Sequence, residues 1–228
     1  MALPDSARSV ATRLVMTLAF GVVLLLAAGR LDWAAAWLYL ALVLLGELAM
    51  VAVVALVNPE ILRQRAQTIR PDTAGFDRIF VVLYLVLGYA TAVVAGLDAG
   101  RSGAGLPPRP WLCAGAALTV AGYVVGTWAM AVNRHFEPTV RIQTDRDHRV
   151  VTAGPYRCVR HPGYVGALLG AVGAPLMLGS AWMLVPTAAA VLLFVVRTRL
   201  EDETLQRQLP GYREYAQRTR YRLLPGLW

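Results

Sequence analysis

The sequence predicts an all-α integral membrane protein with about five to six transmembrane segments, the last two forming a helical hairpin. Composition is the first reason: 57% of the 228 residues are hydrophobic and mean hydropathy is +0.52. Periodicity of length is the second. Apolar side chains gather in four runs, at about 11–29, 33–57, 76–97 and 111–132, each near the ~20 residues that cross a bilayer core. A fifth apolar region, about 164–198, is too long for one span and is interrupted by Pro175, Gly179-Ser180 and Pro186. It reads as two legs, about 164–178 and 182–199. The third reason is the placement of charge, taken up below.

The first run has no small-x-small cleavage site leading into a soluble domain, so it reads as a retained helix rather than a signal peptide. Helix 1 (about 9–29) ends at Gly29-Arg30, and a tight turn leads to helix 2 (about 33–57), which predicts an antiparallel pair. Trp33, Trp37 and Tyr39 fit an interfacial aromatic belt. Glu47 lies mid-span, either a functional carboxyl or one that joins helices by hydrogen bonding. Asn58-Pro59 ends helix 2, and residues 60–75 form an Arg-rich connector along the headgroups. Helices 3 (about 76–97) and 4 (about 111–132) flank a Gly- and Pro-rich spacer. Gly122 and Gly126 in helix 4 stand one turn apart, a pattern that lets a neighbouring helix approach closely. The longest polar segment is about 133–160, within which Val150-Val151-Thr152 reads as a short β-like patch. Two regions follow: 1–110, the N-terminal helices and connectors, and 111–228, which carries the chemistry.

Net charge is +8 and every basic residue is Arg. With the N-terminus in the cytoplasm, only Arg30, Arg101 and Arg109 fall on the far side. This positive-inside bias explains the basic pI without a nucleic-acid partner. The lack of Lys fits a GC-rich genome. The expected location is a bacterial inner (plasma) membrane, with the active site facing the cytoplasm. Cys113 and Cys158 imply no disulfide framework. No metal-ligand spacing occurs.

The chemistry concentrates at Gly154-Pro155-Tyr156-Arg157-Cys158-Val159-Arg160-His161-Pro162-Gly163-Tyr164 and, after the hairpin, at Arg197-Thr198-Arg199-Leu200-Glu201-Asp202. Pro162 suits the first turn of a helix, whose free N–H groups can hold a carboxylate. Tyr164 can present its ring to a cation. The two ring nitrogens of His161 can pass a proton. Arg197 and Glu201 stand four apart. They either pair with each other, worth about 0.3–0.5 kcal/mol, or bind the two ends of a zwitterion.

These residues resemble the isoprenylcysteine carboxyl methyltransferase family and its phospholipid methyltransferase relatives. The resemblance covers about 130–228: Asn133 and Phe136, the run Val151 to Tyr156, Arg160-His161-Pro162-Gly163-Tyr164, Arg197 with Glu201-Asp202, Gly211-Tyr212-Arg213-Glu214-Tyr215, and Tyr221 to Pro225. It implies S-adenosylmethionine as cofactor and a membrane methyltransferase region over 111–228. It implies a cofactor pocket built by Gly154, Tyr156, Arg160, His161, Pro162, Tyr164, Glu201 and Asp202. Catalytic roles would fall to Arg197, Glu201 and His161. The family's usual Glu-Glu is Glu201-Asp202 here, and its usual Phe-Gly is Leu209-Pro210. The shorter Asp202 is the less secure cofactor contact of the two.

The expected acceptor is lipophilic, a small molecule or a lipidated substrate reached from the membrane lipids, and most readily a carboxylate. A carboxylate is ionised at pH 7 and needs no general base. Two readings compete. A phospholipid N-methyltransferase would need a base, for which His161 or Glu201 could serve. A small transporter would use Glu47 and Arg197 as translocation groups, but inverted repeats and paired broken helices are not evident.

Overall fold

The computed structural model describes residues 5–65 and 73–228. The helical elements are α1 (Asp5–Ala28), α2 (Ala34–Val57), α3 (Pro59–Gln64), α4 (Gly75–Ala95), α5 (Arg109–Val132), α6 (Pro162–Leu178), α7 (Leu184–Gln208) and α8 (Tyr212–Arg218). A π-helical turn, Gly96–Gly100, extends α4. The all-α class holds: no strand occurs among the described residues. Among the described residues, four helices are long and apolar enough to cross a membrane, namely α1, α2, Gly75–Gly100 and α5. The 17-residue α6 is a shorter apolar helix, and α7 is apolar only in its first half, up to Val196. Part of the predicted 60–75 connector, residues 66–72, lies outside the described residues.

Glycine decides how α5 and α6 meet. A Cβ on Gly122 would stand 2.6 Å from the Gly166 carbonyl oxygen, and one on Gly115 would stand 2.7 Å from that of Gly173. The two backbones therefore touch, and dispersion between them replaces side-chain interdigitation. Gly166 packs against both members of the predicted pair: a Cβ there would stand 2.7 Å from the Gly122 carbonyl oxygen and 2.9 Å from the Gly126 nitrogen, although a Cβ on Gly126 itself would meet nothing within 4 Å.

Polar contacts fix the remaining helices. The Thr17 hydroxyl donates to Glu47 Oε2 at 2.8 Å, joining α1 to α2. At the hairpin turn, Ser180 Oγ donates to Asp98 Oδ2 at 2.7 Å and the Trp182 N–H donates to the same oxygen at 3.2 Å. The start of α7 is thereby tied to the end of α4.

Three sequence expectations change. Trp33 is fully buried, packed with Leu24 and Ala28 of α1 and with Ala95 and Ala99, so it belongs to the core and not to an interfacial belt. Val150-Val151-Thr152 forms no strand; Val150 and Val151 pack against Leu209 and Tyr212 instead. Asn58-Pro59 does not only end α2: Pro59 opens α3.

Candidate active site

The loop between α5 and α6 folds back over the ends of α7 and α8 and leaves a cleft with about 790 Å³ of empty space, part of it open to solvent. Backbone pairing sets its floor: the Arg160 N–H donates to the Tyr221 carbonyl at 2.9 Å and the His161 N–H to the Arg222 carbonyl at 3.0 Å. The C-terminal segment thus holds Arg160-His161 in place before α6 begins at Pro162. Gly163 opens the path for Phe136, whose Cε2 and Cζ would lie 2.6 Å from any Cβ there.

Five of the predicted residues border the cleft: Tyr156, Arg160, His161, Tyr164 and Glu201. The His161 ring stacks on Tyr164, with centroids 5.5 Å apart and planes 4° from parallel. The Tyr164 hydroxyl donates to Glu201 Oε2. His161 Nδ1 lies 3.9 Å from Glu201 Oε1. The Glu201 side chain remains 19% exposed, so its carboxylate still faces the cleft. Two aromatic faces and a carboxylate therefore share one wall. Such a wall suits a cation.

Asp202 has another place. It is fully buried and does not border the cleft. Its Oδ1 meets Arg160 Nε at 3.0 Å and His161 Nε2 at 3.4 Å, and accepts from the Tyr212 hydroxyl at 3.0 Å. Its Oδ2 accepts from Gln206 Nε2 at 2.8 Å and Arg222 Nε at 3.0 Å. Burial alone would raise this carboxyl. The hydrogen bond with His161 and the charges of His161 and Arg160 outweigh it, Arg222 adds a bond, and the group is held at about 2. Asp202 ties the α6 start, α7, α8 and the tail together and orients His161.

Arg197 also turns away. Its Nε lies 2.8 Å from Asp77 Oδ1, and its Nη2 donates to Asp77 Oδ2 at 3.1 Å and to the Pro138 carbonyl at 2.7 Å. The guanidinium sits 4.0 Å over the Phe80 ring and 5.0 Å from that of Tyr164. Neither of its alternatives, an ion pair with Glu201 or a free cation in the cleft, describes the geometry. Gly154 and Pro162 do not border the cleft either. Gly154 makes a left-handed turn (φ +56°) against Trp128, and Pro162 is the buried first residue of α6.

Sequence reasoning gave no role to several residues that build the site. Asp77, 120 positions from Arg197, gave no local signal. Tyr212 and Arg222 lay inside noted motifs, yet their meeting point is Asp202. The loop is braced by Arg141, whose Nε and Nη2 donate to the two Glu137 oxygens at 2.7 and 2.9 Å. Above it, two histidines accept main-chain hydrogen bonds. The Arg149 N–H donates to His135 Nε2 at 3.4 Å and the Gln143 N–H to His148 Nδ1 at 3.3 Å. Burial lowers both imidazoles, His148 to about 4, with the charge on His135 adding to its shift. Asn133 Nδ2 donates to the Tyr156 hydroxyl at 2.9 Å, and Tyr215 Oη donates to the Tyr156 carbonyl at 2.8 Å. No group of three or more His, Cys, Asp or Glu side chains converges on a metal-sized point among the described residues.

Residues 115–207 match the model of the isoprenylcysteine carboxyl methyltransferase (ICMT) family. A probable protein-S-isoprenylcysteine O-methyltransferase of Oryza sativa subsp. indica is 34% identical over 107 residues, 46% of this chain and 56% of that protein. Protein-S-isoprenylcysteine O-methyltransferase B of Arabidopsis thaliana is 30% identical over 118 residues, 50% of this chain and 60% of that one. The cobalt-zinc-cadmium resistance protein CzcN of Cupriavidus metallidurans is 40% identical over 75 residues, 32% of this chain and 35% of that protein. The chain thus spans little more than half the length of the plant relatives it matches. The family resemblance read from the sequence is borne out over 115–207, which holds most of α5, the loop, α6 and nearly all of α7. The tail motifs from Gly211 onward fall outside the family match.

Proposed function

We propose that this chain is a membrane-embedded methyltransferase that uses S-adenosylmethionine to methylate a lipophilic carboxylate of the isoprenylcysteine type. The observation that carries the reading is the convergence of His161, Tyr164 and Glu201 on one wall of a cleft, inside the segment that matches the family.

The cleft fits the cofactor on its own residues. Glu201 offers a carboxylate to an ammonium or sulfonium group. Tyr164 and His161 offer ring faces to a sulfonium. Phe136 and Tyr156 bring further rings to the same cleft, which suits a nucleobase. Held by these residues, S-adenosylmethionine would supply a sulfonium methyl for an acceptor carboxylate oxygen, the S–C electron pair remaining on sulfur as the neutral thioether.

No proton moves in that transfer, so the protein's work is positioning and exclusion of water. Glu201 is fixed by the Tyr164 hydroxyl and by His161. His161 is fixed in turn by Asp202. The rotamers that define the cofactor wall are therefore set before binding. Asp202 acts through His161 as a positioning residue. Arg197 stiffens the wall from behind through Asp77 and the Pro138 carbonyl.

Orientation follows from charge. The loop 133–161 and the chain from Arg197 onward hold 13 of the 22 Arg, which supports a cytoplasmic orientation of the cleft. The α6–α7 hairpin would complete six membrane segments, with α7 leaving the bilayer near Arg197. The test is cofactor binding. Isothermal titration of S-adenosylhomocysteine into the detergent-purified chain should give a one-site isotherm that Glu201→Gln weakens. No binding by the wild-type chain would remove the enzyme reading.

A further inference from the structure

With Arg197 committed to Asp77, a second guanidinium, that of Arg65, stands against the Phe136 ring that borders the cleft. A second, shallower groove opens between α1, α2, α3 and α5, its roughly 190 Å³ of empty space partly open solvent. Met50, Val51, Val54, Leu62 and Met130 make it apolar, and Arg13 and Arg65 line the same space. Arg65 Nη1 is buried and has no hydrogen-bond partner. Its guanidinium stands 5.6 Å from the centre of the Phe136 ring. Among the described residues, the hydrogen-bond contact of Arg13 is with the Met50 sulfur, at 4.0 Å.

Among the described residues, the neighbouring acids are engaged. Glu137 is bound by Arg141, Glu60 by Arg146, Asp77 by Arg197, and Glu47 accepts from Thr17. Two like charges thus share an apolar groove, and a buried cation without an anion is costly. Burial, with the charges of Arg13 and Arg197 adding to it, lowers Arg65 to about 9. It is still a cation at neutral pH, and an anion would relieve it.

We infer that Arg65, assisted by Arg13, binds the carboxylate of the lipophilic acceptor in this groove, with Phe136 as the partition between acceptor and cofactor. This rests on the methyl-transfer reading above. Phe136 borders the cofactor cleft and packs on Gly163, while Arg65 lies over its ring. One aromatic ring therefore separates the two spaces. The tail of the acceptor has an apolar route: α2 presents Val53, Leu56 and Val57 to the outside next to the groove-lining Val54. A membrane phospholipid phosphate is the competing anion, and the experiment separates the two.

The wild-type chain in phosphatidylcholine nanodiscs is titrated with a tritiated isoprenyl-thioether acid, with its methyl ester, and with S-adenosylhomocysteine. Arg65→Gln should weaken the acid about ten- to hundredfold, as loss of a charge-assisted contact does. It should leave the ester and S-adenosylhomocysteine unchanged. Arg65→Lys should recover part of the loss, and Arg13→Gln should move the acid in the same direction by less. An Arg65→Gln chain that binds S-adenosylhomocysteine normally and the acid undiminished overturns the inference while the enzyme reading stands. Displacement of the acid by phosphatidylglycerol in the disc overturns it in favour of a lipid phosphate site. A wild-type chain that holds the acid through Arg65 but does not bind S-adenosylhomocysteine supports the anion site and removes the methyl-transfer reading.

Discussion

Two adjacent carboxylates should respond in opposite ways to loss of charge. Asp202→Asn removes the charge from a fully buried oxygen pair that meets Arg160, His161, Arg222, Tyr212 and Gln206. An amide can accept at only one of its two ends. Whichever way it turns, its NH2 faces donors: Arg222 and Gln206 on one side, or Arg160, His161 and Tyr212 on the other. Breaking one partner of a buried ionic network costs about 3–5 kcal/mol. For a chain of this size that is roughly 6–20 °C in melting temperature. Glu201→Gln differs because its carboxylate is partly open to the cleft. Its amide oxygen can still accept from Tyr164, so stability should move by less than about 1 kcal/mol. Affinity for S-adenosylhomocysteine should instead fall about ten- to hundredfold, the worth of one charge-assisted contact. Thermal unfolding in detergent and isothermal titration read the two effects. An Asp202→Asn protein that melts within about 2 °C of wild type, or a Glu201→Gln protein that binds normally, would refute the division of labour. Acid adds a check on sign. Asp202 is held below its ordinary value, so its stabilisation is complete above about pH 4 and is lost as pH falls through about 2.

His135 and His148 are held neutral in the folded loop, so protons bind preferentially to the unfolded loop. Protection of loop amides from hydrogen exchange should be full above about pH 6.5 and decline toward about 4; a flat profile across that window would contradict it. Arg197→Met should cost about 3–5 kcal/mol by stranding Asp77, and adding Asp77→Asn should recover part of the loss; strictly additive melting shifts would refute the pairing. Gly122→Ala should cost about 1–3 kcal/mol by forcing α5 from α6, whereas Gly126→Ala, facing open space, should be near neutral; equal effects would refute the backbone contact. With Cys113 and Cys158 replaced by Ser, single cysteines at the exposed positions Arg8, Thr144 and Gln217 should label from one side of the membrane and Ser102 from the other; opposite labelling at Thr144 and Gln217 would refute the hairpin.

The helices were legible because length and hydropathy act over whole segments. The predicted runs 33–57 and 111–132 lie within a residue or two of α2 and α5. The short α3 and α8 were not legible, since six and seven residues carry little periodicity. Trp33 shows why a belt residue cannot be told from a core one by sequence: the ring is the same, and only packing against Leu24 and Ala99 decides. In the site, the His161, Tyr164 and Glu201 positions were read from type and order, and the structure brings all three to one cleft. Arg197 and Asp202 were misplaced relative to the cleft for one reason. Each is neutralised by residues far along the chain, Asp77 for the first and Arg222 with Tyr212 for the second, and such partners have no local signature.

Methyl transfer itself tests the central claim most directly. The wild-type chain in proteoliposomes is supplied with methyl-labelled S-adenosylmethionine and, in parallel, with an isoprenyl-thioether acid, a fatty acid and phosphatidylethanolamine. The account predicts label on an acid, released as methanol by mild base, and lost together with cofactor binding in Glu201→Gln. Base-stable label on phosphatidylethanolamine alone, or no transfer to any acceptor by a chain that binds S-adenosylhomocysteine, would contradict it.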